Sequence, residues 1–243
     1  MKILSIGNSF SQDAHKYLYE VCKSAGVTVY AANLYIGGCN LEMHWDNLVN
    51  NAKLYDYEIN GKKKCKISLP EALLKEKWDI ITFQQSSPLS GIASSYIPFL
   101  PDIAKAVRLF CPDAKFYLYK TWAYAKDYER EAFKNNYDND QHQMFVRIND
   151  CYKMAAKLID APVIPVGNVI QKLREKFPDH PGEFTRDGFH LSYDYGRYAA
   201  ALTFCAFLFY RDVREVSFAP DGTDPALIEA IKDTVYRTVK ALR

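Results

Sequence analysis

The feature that most restricts what this chain can become is an alternation. Short runs of β-branched, aromatic and other apolar residues, at Lys2–Gly7, 27–34, 79–83, 116–119 and 162–166, are separated by segments whose apolar residues recur at helical spacing. Ala14, Leu18, Val21, Cys22 and Ala25 keep one helical face until Gly26 ends the segment. Helices are likewise expected over 70–77, 102–110, Gln141–Ile159 and 169–176, from Tyr193 onward, and in a last amphipathic helix opened by Asp224-Pro225. Five strand runs joined through helices require crossover connections, because adjacent parallel strands cannot be linked by a tight turn. The expected fold is therefore α/β: a three-layer α/β/α sandwich around a flavodoxin-like, five-stranded parallel sheet, in one domain over residues 1–243.

One stretch breaks the pattern. Tyr55, Tyr57 and Ile59 alternate with Asp56 and Glu58, the turn pair Asn60-Gly61 follows, and Cys65 and Ile67 alternate with lysines, so an inserted β-hairpin is expected over about 54–68. A plain two-residue turn would set Tyr57 opposite Lys64 and mismatch the faces, which calls for a bulge or a longer loop. Residues 126–140 are polar and tyrosine-bearing and read as a loop in a position to cover the site.

Composition excludes several classes. With 49% hydrophobic residues, the chain can bury a sizeable core, and the net charge of +2 carries no broad basic face, so no nucleic-acid partner is expected. Lys62, Lys63, Lys64 and Lys66 form only a local patch at the hairpin. The six cysteines show no CxxC pair and no zinc-like spacing, so neither a metal nor a disulfide framework is expected, and free thiols suit a reducing compartment. The N-terminus enters a strand without a basic or long apolar segment, and the apolar helix ending near Tyr210 is too short for a bilayer. A cytoplasmic protein that avoids membranes is the expectation; nothing in the sequence sets its oligomeric state.

In open parallel sheets, sites gather at the carboxyl ends of the strands. Gly7-Asn8-Ser9-Phe10-Ser11, Gly37-Gly38, Gln84-Gln85 and Thr121-Trp122 all fall there. A serine at a strand-to-helix turn projects its hydroxyl beside outward-pointing amides that can stabilise an oxyanion, but it needs a base to become a nucleophile. On this stretch alone, Ser9 or Ser11 could equally cap the first helix. A base is available in Thr185-Arg186-Asp187-Gly188-Phe189-His190, where an Asp three residues before a His can hold one ring nitrogen while the other faces a serine. His15 is expected to be exposed on the first helix; His142 and His180 have no evident partner.

Taken together, Gly7 to Ser11, Gly37-Gly38, the end of the run Trp78 to Ser87, and Asp187 with His190 resemble, in order, the blocks of the SGNH (GDSL-type) hydrolase superfamily. They resemble in particular a bacterial branch that opens with Gly-Asn-Ser and carries Gln-Gln-x-Ser after the third strand. The resemblance implies a serine esterase with Ser9 as nucleophile, His190 as general base and acid, and Asp187 as orienting carboxylate. It further implies that the amides of Ser9 and Gly38 bind the oxyanion. Two departures stand out: Asn8 replaces the usual Asp, and the Gly-x-Asn-Asp of the third block is absent. The side-chain amide of Gln85, with Gln84 in reserve, is the expected replacement for the missing donor. His44, Trp45, Trp122 and Tyr124 are the aromatic candidates for a sugar platform. The expected substrate is a small acyl ester, acetyl on a carbohydrate first, cleaved through an acyl-enzyme without a cofactor. The alternatives are a flavodoxin-like ligand-binding module, with the Ser9 loop cradling a phosphate, and an inactive hydrolase fold that binds glycans.

Overall fold

The computed structural model describes residues 1–242. β1 (Lys2–Gly7) lies at the centre of the sheet and pairs in parallel with β2 (Tyr30–Tyr35) on one side and β5 (Ile80–Phe83) on the other. β6 (Lys115–Tyr119) and β7 (Val163–Ile164) continue the parallel sheet outward from β5. The five expected parallel strands are thus present, the last of them only two residues long.

The hairpin is β3 (Tyr55–Ile59) and β4 (Lys62–Ile67). It adds to the edge of β2 in antiparallel fashion, so one mixed sheet of seven strands runs in the order β4-β3-β2-β1-β5-β6-β7. Asn60 and Gly61 both have positive φ, 48° and 70°, as a tight hairpin turn with the sheet's own twist requires. The face mismatch is resolved by a bulge: Tyr57 pairs with Cys65 and Glu58 with Lys63, which leaves Lys64 as the extra residue. Tyr55 and Tyr57 are thereby both buried.

Alternation along the central strands sends side chains to two cores. Leu4 and Ile6 of β1 join Leu41 and Leu48 of α3 (Leu41–Val49), Leu69 and Leu73 of α4 (Leu69–Lys75), Ile103 of α5 (Phe99–Phe110) and Ile148. Ile3 points the other way, toward the core made with the first two helices and with the last three. The expected single first helix is two: α1 (Ser9–His15) and α2 (Leu18–Ser24). The hairpin turn at Gly61 closes against the carbonyls of His15 and Lys16, where the helix breaks. His15 is buried, not exposed; its Nε2 lies 2.7 Å from Ser5 Oγ, and burial lowers its pKa to about 4.

The segment expected to be a loop contains α6 (Glu131–Tyr137), followed by α7 (Gln141–Ile159). Phe133 and Tyr137, four residues apart, bury the inner face of α6, while Asn135, Asn136 and Asp138 gave the stretch its loop-like composition. α8 (Val166–Lys176), the apolar α9 (Tyr195–Phe209) and α10 (Pro225–Ala241), with Asp224 as its N-cap, close the other layer. Among the described residues no helix is long and apolar enough to cross a membrane.

Candidate active site

β1 runs directly into α1, and the residue between them is Asn8. Its Oδ1 accepts the Phe10 amide at 3.0 Å, so Asn8, and neither Ser9 nor Ser11, caps the helix. The same oxygen accepts from Gln84 Nε2 at 2.8 Å, and Asn8 Nδ2 donates to the Cys39 carbonyl at 3.0 Å. One side-chain amide therefore ties together the ends of β1, β2 and β5; an Asp at this place could not make the bond to Cys39. Ser11 is fully buried and donates to the Asn8 carbonyl and to Asn33 Oδ1. Ser9 is left as the hydroxyl that faces outward.

The partner side chain comes from the far end of the chain. Thr185 and Leu191 form an isolated antiparallel bridge, and the Arg186 amide donates to the His190 carbonyl at 2.9 Å, which closes the turn 186–190. Within it, Asp187 Oδ1 accepts the amides of Phe189 and His190 at 3.2 and 2.8 Å, and its Oδ2 lies 2.6 Å from His190 Nδ1. His190 Nε2 in turn lies 2.9 Å from Ser9 Oγ. Partial burial pushes the Asp187 carboxyl up, but the hydrogen bonds from the His190 ring and from the two amides outweigh this and hold it below the usual carboxylate range. Because the folded value is depressed, those bonds are in place above the ordinary carboxylate range and are lost only as pH falls through the lowered value.

This turn is held from two sides. Asp13, one turn after Ser9 on α1 and fully buried, accepts from Arg186 Nη1 at 3.0 Å, from Arg197 Nε at 2.8 Å and from the Leu191 amide at 2.9 Å. From the loop after β6, Trp122 Nε1 donates to the Phe189 carbonyl at 2.7 Å and the Ala125 amide to the Gly188 carbonyl at 2.7 Å. The Trp122 ring stacks on Phe10, with centroids 4.0 Å apart. The helix that carries the serine and the turn that carries the imidazole are thus coupled by a charge network and by an aromatic stack.

Ser9 and His190 open onto a cleft of about 290 Å³. All four strand ends singled out in the sequence contribute to it or to its support: Asn8, Ser9 and Phe10 after β1, Gly37 and Gly38 from the loop after β2, Ser86 and Ser87 after β5, and Arg130 from beyond β6. Gly38 sits at φ +66°, a conformation that only glycine adopts freely, and among the described residues its amide has no hydrogen-bond acceptor.

Several expected site residues lie elsewhere. Gln85 does not face the cleft: its Nε2 donates to the carbonyl and the hydroxyl of Ser95, both at 3.0 Å, and its Oε1 accepts the amides of Leu41 and Ser86. It pins three loops together, and Gln84 is committed to Asn8. Ser86 stands at the cleft instead, and among the described residues its hydroxyl has no partner. His44 is fully buried against Tyr55, with Nδ1 2.8 Å from the phenol, and burial lowers its pKa to about 3. Trp45 packs partly buried against the core beside β2, away from the cleft, and Trp122 is buried beneath it. Tyr124 lies one side chain behind the cleft, its hydroxyl 2.9 Å from Ser87 Oγ. Four cleft residues escaped the sequence reading: Tyr35, Pro88, Phe189 and Arg130. Phe189 had a signal, since it stands inside the Asp-Gly-Phe-His stretch itself. Among the described residues no group of three or more His, Cys, Asp or Glu could hold a metal ion.

Comparison with known proteins gives the following. The family model of DUF4886, a domain of unknown function, matches residues 2–238. The crystal structure of a DUF4886 family protein from Bacteroides uniformis is 40% identical over 99% of this chain and 95% of its own, with a TM-score of 0.92. A candidate SGNH hydrolase from Slackia heliotrinireducens is 20% identical, with a TM-score of 0.59 over 86% of this chain and 98% of its own. An acetyl xylan esterase is 14% identical, with a TM-score of 0.56 over 82% of this chain and 96% of its own. At such identities the last two speak for the fold alone. No curated protein matches.

Proposed function

This chain belongs to the DUF4886 family and has the α/β/α fold of SGNH-type hydrolases, and from that premise we propose that it is a serine esterase acting on small acyl esters, acetyl esters of carbohydrates in particular. The observation that carries the reading is the chain of contacts from Asp187 through His190 to Ser9, at 2.6 and 2.9 Å.

In this reading Asp187 fixes the ring so that Nδ1 carries the proton and Nε2 accepts from Ser9. Ser9 Oγ attacks the ester carbonyl while His190 Nε2 takes the hydroxyl proton. The oxyanion that forms is met by the amides of Ser9 and Gly38, with the Ser86 hydroxyl in the place where Gln85 was expected. Collapse breaks the bond to the alcohol, which leaves with the proton from His190, and an acyl-Ser9 remains. A water then gives its proton to His190 and attacks the acyl carbon; the proton returns to Ser9 Oγ as the carboxylic acid departs. A cleft of about 290 Å³ has room for a short acyl group and part of a sugar ring. One structural neighbour is an acetyl xylan esterase, which is the reason to begin with acetylated sugars.

The experiment is labelling with a neutral fluorophosphonate probe, followed by peptide mapping, beside a screen of acetylated monosaccharides for acetate release. Modification at Ser9 together with release of acetate is expected. An unlabelled Ser9 in a protein that still binds the sugars would favour the inactive, glycan-binding alternative.

The turn itself makes a separate prediction. Gly188 sits at φ +87°, and a Cβ there would lie 2.3 Å from the Tyr128 ring. Left-handed backbone alone costs a side chain about 1–2 kcal/mol, and the clash adds a displacement of the turn between Asp187 and His190. Gly188→Ala is expected to lower kcat about a hundredfold, the scale set by a misplacement of about 1 Å. Full activity in that variant would show that the turn has no part in placing the imidazole.

A further inference from the structure

Apart from His190, the cleft lining contains one charged side chain, Arg130. It was hidden in the sequence inside a segment of alternating acids and bases, Lys126 to Glu131. Its guanidinium carbon stands 5.3 Å from the centroid of the Phe189 ring, and Phe189 packs against the His190 imidazole with centroids 3.7 Å apart. The cation is therefore one aromatic ring away from the His190 imidazole, in the lining of the same cleft.

Its charge is met by ring faces and phenols and not by an acid. Among the described residues no carboxylate lies within ion-pairing distance of Arg130, although Glu129 and Glu131 flank it in sequence. Its hydrogen bonds go to neutral phenols, the Tyr124 hydroxyl at 3.3 Å and the Tyr128 hydroxyl. A guanidinium has five N–H donors, and stacking on a ring face leaves them free to act in the plane. Tyr124, Tyr128 and Phe189 hold the group from the protein side. A fork that is both positioned and unpaired is pre-organised for a planar anion that arrives with the ligand.

Resting on the esterase reading above, we propose that Arg130 binds a carboxylate on the substrate, so that the preferred esters are those of acidic sugars such as acetylated uronic acids. A single cation with no second Lys or Arg beside it in the cleft matches one negative charge and a planar, two-oxygen group better than a phosphate dianion.

The test compares mono-O-acetyl glucuronate with mono-O-acetyl glucuronamide, which differ in charge and hardly in size. Wild-type protein is expected to favour the acid by about tenfold to a hundredfold in kcat/KM, the range of one charge-assisted pair, mainly through KM. Arg130→Gln should abolish that preference and Arg130→Lys should retain part of it, with melting temperatures used to verify folding. Equal turnover of the two esters by the wild type, or a Gln variant that slows both alike, overturns this inference and leaves the esterase reading standing. Turnover of neither, with Ser9 unreactive to the fluorophosphonate, overturns both.

Discussion

Replacing Ser9 by Ala is expected to reduce ester hydrolysis by on the order of ten-thousandfold or more in kcat, with little change in KM. Among the described residues the only side-chain hydrogen-bond partner of Ser9 is His190 Nε2, and no other hydroxyl is placed on that nitrogen. Ser11, two residues on, is turned inward onto Asn8 and Asn33 and cannot substitute. Loss of one half-buried hydroxyl removes no packing, so the unfolding free energy should change by no more than about 0.5 kcal/mol. Steady-state kinetics on an acetyl ester, run beside a denaturation curve, checks both halves. A variant that keeps wild-type turnover would move the nucleophile elsewhere.

The second large effect is expected at a residue outside the cleft. Asp13→Asn retains the shape of a fully buried carboxylate that meets two guanidiniums and one amide. It leaves Arg186 and Arg197 without their counter-charge; breaking a buried pair from one side costs about 3–5 kcal/mol. Both partners are mostly buried, with side chains 20% and 12% exposed, so water recovers little of that loss. Because Arg186 and Leu191 bracket the turn that carries Asp187 and His190, activity should fall together with stability, by about a hundredfold. Urea unfolding combined with kinetics at a temperature where the variant is folded separates the two. Should the Asn protein unfold within about 1 kcal/mol of wild type, the network is not what holds the turn.

How much of this could be read beforehand follows from how local each cause is. The alternation of strands and helices, the turn at Asn60-Gly61 and even the misfit between Tyr57 and Lys64 are set by neighbours a few residues away, and they appear in the structure, the misfit as a bulge. Ser9, Asp187 and His190 were legible because a strand end and a short Asp-x-x-His turn restrict where their side chains can point. Gln85 sits where expected along the chain, yet the direction of its amide is decided by Leu41 and Ser95, which belong to other loops. His44 and Trp122 look like a sugar platform in sequence; packing against Tyr55 and Phe10 puts them inside. α6 was concealed by Asn135 and Asn136 within it and by Asp138 and Asn139 just after it, and Arg130 lay hidden at its start. Asp13 offered only the hint of an acid four residues after Ser9, on a face otherwise destined for the core.

The outer strand of the hairpin has a consequence for the molecule in crowded solution. β4 leaves one row of backbone donors and acceptors without a neighbouring strand, an invitation to pair with another copy. Lys62, Lys63, Lys64 and Lys66 line that margin; Asp56 compensates Lys63 and Lys66, at 2.8 Å each, and the remaining positive charge stays with Lys62 and Lys64. Two molecules approaching margin to margin would bring like charges together, so the lysine run opposes edge-to-edge pairing of this sheet.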